Sequence, residues 1–403
     1  MSAMMIPIRD ARARVLAAVS AGASEVVAID DALGRVLAGD VVAAGDVPPF
    51  PSSAMDGYAV AAGPAGRTLV VIGEARAGSP AAAAVGQGQA IRISTGAAMP
   101  AGAEAVIPQE NVDVPAATTI VTRAPVLAGD NVRLPGEDIA AGAVVLRAGT
   151  RLGAVELGAA VAAGAARVTV ARRPRVAVLC TGDELRAPGE PLEPGQIHNS
   201  NAPMLTALAR DAGADAGPAR RLPDDRASTE RGIGEALEQA DVVIISGGVS
   251  VGPHDHVKPA LAALGVREVF WSVALQPGKP TWFGVAADGR LVFGLPGNPV
   301  SAVVTFSLFA APALAAMQGA PPPSPPAPRA ALATAVRRLS LRERAIRVRL
   351  EHDGAGPPFA HPNGAQGSHI LSSLIGADAL AMIPPGEGEL PAGAIVALEA
   401  LAR

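Results

Sequence analysis

Val176-Ala177-Val178-Leu179 runs straight into Cys180-Thr181-Gly182-Asp183-Glu184-Leu185, and Asp241-Val242-Val243-Ile244-Ile245 runs into Ser246-Gly247-Gly248-Val249-Ser250-Val251-Gly252. Each stretch is an apolar run of strand length that ends in a polar, glycine-rich turn. Strands buried on both faces read this way. Helical spacing of apolar residues lies between and after them, at 203–212, 225–239 and 255–264. Further strands are predicted near 266–271, 281–285 and 291–293, and a long apolar helix at 299–317 closes the unit. Strands alternating with helices predict a largely parallel, doubly wound sheet over 173–320.

Outward from this unit the pattern changes twice. Ile8 to Val19 has helical periodicity, and a second helix-like run covers Asp30–Leu37. From Val47 to about Ile139, short β-type runs such as Leu69-Val70-Val71-Ile72 and Ala90-Ile91-Arg92-Ile93 alternate with Gly/Pro turns. We read 48–137 as an inserted β-rich domain, with its flanks 1–47 and 138–172 joined in space as a linking N-terminal domain. The proline-dense segment 321–328 reads as a stiff linker. Beyond it, 329–403 is read as a small C-terminal β domain on the strength of runs at 346–350 and 394–398. The fold class is therefore multidomain, with a central α/β domain and separate β parts.

Composition narrows the function. A chain of 403 residues that is 49% hydrophobic and 17% charged is folded and needs several cores. Net charge is −4, aromatics are 2%, and there is no basic block, which argues against a nucleic-acid partner. No stretch reads as a membrane span or a secretory signal, so the expected location is cytoplasmic. Cys180 is the single cysteine, which excludes a disulfide framework and a multi-cysteine zinc site. Lysine occurs only at Lys258 and Lys279; every other strongly basic side chain is arginine. Both lysines follow glycine-rich loops. A compact ammonium is not replaceable by a guanidinium fork where an anion is gripped closely.

Ligands of doubly wound sheets lie beyond the carboxyl ends of the strands. The loops there carry glycines that let backbone N–H groups approach an anion, with Thr181, Ser246 and Ser250 adding hydroxyls. An ordinary turn would look the same for one loop, but less so for two in one sheet. Gln276-Pro277-Gly278-Lys279-Pro280 is not a nucleotide P-loop: Val273 stands where that pattern needs glycine. It reads as a rigid turn presenting one ammonium. In Gly294-Leu295-Pro296-Gly297-Asn298-Pro299-Val300-Ser301, Asn298 is placed as a helix N-cap and Pro299 as the first helical residue. Such a helix start also suits an anion. Glu184, Asp224, Asp225 and Asp255 cluster near these loops, and acids beside phosphate loops commonly hold Mg²⁺. Asp224 and Asp255 are the expected metal ligands. Asp255 and Lys258 are expected to share a helix face. His254 and His256 lack a third partner for zinc and read as loop residues. In the β region, Pro48-Pro49-Phe50-Pro51-Ser52-Ser53-Ala54-Met55-Asp56-Gly57-Tyr58-Ala59 is the densest motif.

Taken together the chain resembles the molybdopterin molybdenumtransferase family, whose eukaryotic relatives include a domain of gephyrin. The matching pieces are PPFPSSAMDGYA at 48–59, RISTG at 92–96, GAEAVIPQE at 102–110, NVRLPGEDI at 131–139, TGDEL at 181–185, SGGVSVG at 246–252, PGKP at 277–280, GLPGNPVSAVVTF at 294–306 and QGSHILSS at 366–373. The resemblance implies four domains and an elongated homodimer, with a cleft between the α/β domain of one subunit and the β region of the other. It implies joining of molybdate to the dithiolene of adenylylated molybdopterin, with AMP released and Mg²⁺ as cofactor. By motif position, it places Asp56, Thr95, Asp138, Glu184, Asp224 and Asp255 at catalytic positions. It places Lys279, Pro280, Ser301, Arg347 and Ser368 at molybdate-binding ones, with Arg342 and Arg344 close to Arg347 in sequence. Thr181, Gly182, Ser246, Gly247, Gly248, Ser250, Lys258 and Asn298 are the expected contacts to the pterin nucleotide. Ser272 and Gln276 stand where relatives often carry lysine.

Two other readings differ in class. The partner adenylyltransferase of the same pathway shares the α/β fold and loops like SGGVS, but it would leave 48–139 and the C-terminal domain without a purpose. A scaffold would use the fold without turnover, yet no receptor-binding feature is legible. The adenylyltransferase and recipient molybdoenzymes are the expected protein partners.

Overall fold

The computed structural model describes residues 5–249, 255–321, 328–354 and 356–402. At its centre is a seven-stranded sheet in the order Asp215–Ala216, Arg175–Thr181, Val242–Ser246, Leu291–Leu295, Trp282–Val285, Arg267–Trp271, with Arg220–Leu222 also pairing to Arg175–Thr181. The strands from Asp215–Ala216 to Leu291–Leu295 run parallel. The remaining two are antiparallel. Only residues 286–290 join Trp282–Val285 to Leu291–Leu295, too few for the crossover a parallel pair needs. The sheet is thus doubly wound on one side and a meander on the other.

The helix over Pro299–Met317 crosses the sheet. It is α-helical over Pro299–Thr305, widens to a π turn at Phe306–Ala310, and resumes at Ala311–Met317. Its 19 residues are long and apolar enough to cross a membrane by composition, yet 67% of the apolar window is buried in the protein. Phe306 and Phe309 are wholly buried with Phe283 and Phe293. Phe270 packs edge-on to Phe309 at 6.2 Å, and Phe283 lies 4.9 Å from Phe293.

Helix Ile8–Ala17 buries Ile8, Ala11 and Val15 in this same core and packs against Ala311–Met317. It belongs to the α/β unit rather than to the 1–47 flank with which its position in sequence groups it. The expected helix at 30–37 reduces to a 3₁₀ turn at Ile29–Asp31, because Val36 and Leu37 are taken up by bridges to Arg151 and Val170. The flanks do join: Ser24–Ala28 pairs with Arg167–Ala171, and Val41–Val42 with Val144–Leu146.

Between them lies a six-stranded sheet in the order Ala105–Pro108, Gly57–Val60, Gln89–Ile93, Thr68–Ala75, Thr119–Thr122, Val112–Ala116. The C-terminal part closes as a small barrel, since Glu343–Glu351 pairs with both Phe359–Pro362 and Ala379–Ile383. A strand from the α/β unit, Leu275–Gln276, adds in parallel to Glu343-Arg344, with Leu275 opposite Glu343 and Gln276 opposite Arg344. This pairing fastens the barrel beside the Pro277–Pro280 turn.

Phe309→Ala removes a fully buried ring and should destabilise the α/β unit by about 3–5 kcal/mol. The check is denaturant unfolding followed by tryptophan fluorescence, because both tryptophans, Trp271 and Trp282, lie in this unit.

Candidate functional site

Parallel register sets Cys180 opposite Ser246 and Ser246 opposite Leu295, so three strands end in one line. A cleft of about 460 Å³ opens there, walled by Thr181, Glu184, Ser246–Val249, Pro280 and Pro296–Pro299, and by the segment 197–201. Gly247 and Gly248 adopt left-handed φ of 92° and 63°. A Cβ on either would come within 2.9 Å of the Thr181 Oγ1, so only glycine lets the two loops approach this closely. Asn201, the first residue of helix Asn201–Asp211, bolts the strand ends together. Its Nδ2 donates to Ser246 Oγ at 2.8 Å and to the Gly297 carbonyl at 2.7 Å. Ser246 is buried and lines the cleft, Gly182 is buried but does not line it, and Ser250 lies outside the described residues.

The flanking residues split into those that face the cleft and those that brace it. Asp224 accepts from the Asp183 N–H at 3.1 Å, and the Asp224 N–H donates back to Asp183 at 3.4 Å. The acid is thereby tied to the loop that carries Glu184. Asp225 caps helix Arg226–Gln239 by accepting from the Ser228 N–H, so its role is local. The next helix starts at Val257, two residues later than the expected 255–264. Asp255 therefore precedes the helix and does not share a face with Lys258. Lys258 does not line the cleft. Its Nζ stands 3.8 Å from the Trp271 ring, and Trp271 Nε1 donates to the Val249 carbonyl at 3.1 Å. Lys258 thus steadies the glycine loop from behind, through a cation–π contact.

At the junction with the barrel, the turn Val273–Thr281 is closed by N–H bonds from Val273 and Thr281 to the Lys279 carbonyl, both 2.9 Å. Thr281 Oγ1 also donates to the Gly278 carbonyl at 2.6 Å. The backbone is fixed and the Lys279 side chain is exposed, as the sequence predicts. Ser272 is buried, whereas Gln276 is exposed. Asn298 precedes the first helical residue, but its side chain makes no cap. Its Nδ2 reaches across to Ser368 Oγ at 3.2 Å, and the Val300 N–H donates to the Ser368 carbonyl at 3.2 Å. Ser301 is buried in the following turn. Arg347 is fully buried, and among the described residues it makes no ion pair. Burial, and then neighbouring Arg344, pull its guanidinium down to about 10.

In the inserted domain, Asp56 accepts from the Thr95 N–H at 2.7 Å and from the Thr95 hydroxyl at 3.0 Å. These donors, the backbone one first, hold the Asp56 carboxyl below its usual range. Ser52–Ser53 pairs with Val132–Arg133, and the Gly96 N–H donates to the Ser53 carbonyl at 2.8 Å. The Asp138 N–H donates to the Val47 carbonyl at 3.0 Å. The three polar motifs of this region thus form one surface. Among the described residues, no hydrogen bond or ion pair joins that surface to the α/β cleft.

Comparison with known proteins fits this architecture. Residues 6–164 match the family described as MoeA N-terminal region (domain I and II), 177–316 the probable molybdopterin binding domain, and 329–401 the MoeA C-terminal region (domain IV). A Haemophilus influenzae protein named molybdopterin molybdenumtransferase is 36% identical over 383 residues, covering 93% of each chain. This chain belongs to the molybdopterin molybdenumtransferase family. A Staphylococcus aureus protein of the same name is 34% identical over 395 residues, covering 96% of this chain and 94% of its own. The crystal structure of a molybdopterin biosynthesis moeA protein from Pyrococcus horikoshii OT3 superimposes with a TM-score of 0.83 at 32% identity, covering 98% of this chain and 100% of that one.

Sequence reasoning missed Asn199, Ser200 and Asn201, which wall the cleft. Their signal is a polar Asn-Ser-Asn immediately before an apolar helix, which reads only as a cap. Cys180 is buried, and burial pushes its thiol up to about 11, in keeping with a packed core residue. Thr95→Val should raise the Asp56 pKa, because the ionised carboxylate loses a donor. A depressed carboxylate contributes stability above its unfolded pKa of about 3.9 and loses it as pH falls through the folded value. The stability gap between wild type and variant should therefore be present at neutral pH and close on acidification. Carboxyl NMR titration and pH-dependent unfolding check both points.

Proposed function

We propose that this protein inserts molybdenum from molybdate into adenylylated molybdopterin, releasing AMP and forming the molybdenum cofactor. Membership of the transferase family fixes the reaction class, and one observation carries the assignment to this chain. A glycine-lined cleft at three parallel strand ends, walled by Pro280 and Asn298, reaches the barrel junction, where Asn298 and Val300 bond Ser368; this supports a second anion site there, formed by Lys279, Ser301 and Ser368. Two different anions can thus be held side by side.

In this reading the nucleotide phosphates lie against the Gly248–Val249 part of the glycine loop, since the Gly247 N–H already donates to the Leu295 carbonyl at 3.0 Å, with Thr181, Ser246 and Asn298 as polar contacts. Molybdate lies near Lys279, Pro280, Ser301 and Ser368, with the buried Arg347 adding positive charge. Glu184, Asp224 and Asp255 edge the phosphate region. Among the described residues no group of three or more His, Cys, Asp or Glu forms a ready metal cage. Mg²⁺ is commonly held by one or two carboxylates plus substrate phosphates, so the reading does not require such a cage. Asp224 and Asp255 would hold it, and it would neutralise phosphate charge. The protein supplies positioning and electrostatic stabilisation rather than a covalent nucleophile.

This reading takes the protein as a cytoplasmic homodimer in which each cleft is completed by the β region of the other subunit. What supports the intersubunit site is that, among the described residues, no hydrogen bond or ion pair joins the surface carrying Asp56, Thr95 and Asp138 to the cleft of its own chain. Light scattering together with activity tests it: a fully active monomer would sink the intersubunit site. Asp255→Asn should lower turnover and Mg²⁺ dependence far more than thermal stability, and unchanged turnover would reject its role.

Lys279→Ala should weaken molybdate binding by about tenfold to a hundredfold, since losing a charged partner costs about 1.5–3 kcal/mol. The nucleotide pterin should be affected less, and Lys279→Arg should rescue poorly. Separate calorimetric titrations of the two ligands decide it; equal weakening of both would remove Lys279 from the molybdate site.

A further inference from the structure

Ser368 belongs to the barrel, yet it contacts the helix start of the α/β unit, so something must hold its loop at that reach. Arg347 is placed to do so. Its Nε donates to Ser373 Oγ at 3.0 Å, and its Nη2 donates to the carbonyls of Ala365 and Gly367, each at 3.2 Å. Three of the five guanidinium N–H groups are thereby engaged by protein acceptors. The Arg347 backbone grips the same segment: its N–H donates to Gln366 Oε1 at 3.0 Å, and its carbonyl accepts from the Asn363 N–H at 2.8 Å and Gln366 Nε2 at 3.2 Å.

Ser373 is itself held, since its hydroxyl donates to the Ile370 carbonyl at 2.6 Å while accepting from Arg347. Asn363 Nδ2 closes the ring by donating to the carbonyls of Ser373 and Ile375 at 2.9 and 2.8 Å. Glycines at 364 and 367 leave the loop little stiffness of its own. The side chain of Arg347 points away from the barrel core, where Ile346 and Val348 on either side of it are buried.

We infer that Ser373, Gln366 and Asn363 are positioning residues of the molybdate site, which act through Arg347 to hold 365–368 so that Ser368 meets Asn298 and Val300. This rests on the molybdate reading above and assigns Ser373, Gln366 and Asn363 a part in it. An arginine is suited to the task because its planar fork can hold two carbonyls and a hydroxyl at once, whereas a lysine presents one point charge.

Removing Arg347 itself leaves a large buried gap, so the test uses its partners. Molybdate and the adenylylated pterin are titrated separately against wild type, Ser368→Ala, Ser373→Ala, Gln366→Ala and the Ser368→Ala/Ser373→Ala double variant. Ser373→Ala and Gln366→Ala should each weaken molybdate binding about threefold to tenfold and leave pterin nucleotide binding unchanged. The double variant should bind molybdate no more weakly than Ser368→Ala alone, because the clamp acts through Ser368. Weak binding by Ser368→Ala with normal binding by Ser373→Ala and Gln366→Ala overturns the clamp alone. Additive losses in the double variant overturn it too, and so does equal weakening of both ligands. Normal molybdate binding by Ser368→Ala overturns the parent reading and this inference with it.

Discussion

Much of the site depends on one constraint, the parallel hydrogen-bonded register across Arg175–Thr181, Val242–Ser246 and Leu291–Leu295. A parallel ladder aligns the strand ends, so the chain leaves the sheet three times at the same level. The loops that follow are then neighbours whatever their separation in sequence. Glycines 247 and 248 let them come close, and Asn201 spans them with two hydrogen bonds. The helix over 299–317 and helix Ile8–Ala17 keep this sheet rigid from one face, with aromatic rings filling the space between.

The second constraint is the way the barrel is attached. Leu275–Gln276 is part of the barrel sheet although it lies in the middle of the α/β sequence. Strand pairing is directional and has a fixed register, so it sets the barrel on the sheet more firmly than a hydrophobic contact would. Pro280, at the end of that turn, and Asn298, which bonds Ser368 of the barrel, both line the cleft. A flexible tether between the domains would leave the Asn298–Ser368 contact to chance.

Positive charge at this junction comes in two forms. Lys279 is exposed on a turn closed by its own carbonyl. Arg347 is buried and makes no ion pair among the described residues, while neutral carbonyls and a hydroxyl accept its hydrogen bonds. Neutral acceptors take three of the five guanidinium donors without cancelling the charge. A cation held that way keeps its field available to an anion nearby, at the expense of burial that pulls its pKa down.

The sequence alone determined the α/β unit, because apolar runs ending in glycine turns have few alternatives to buried strands. It also determined the inserted β-rich region, the joining of its flanks and the rigid turn at Lys279, since periodicity and turn chemistry are local. Only the tertiary structure decided what long-range partners decide. It moved helix Ile8–Ala17 into the α/β core and dissolved the helix-like run at 30–37 into bridges. It turned Lys258 toward Trp271, away from the cleft. It sent the Asn298 side chain to Ser368 in place of a cap, and committed Arg347 to the 365–367 loop. In each case the residue's local pattern was compatible with two outcomes. The choice rested on a neighbour from 13 to hundreds of positions away, which spacing along the chain does not encode.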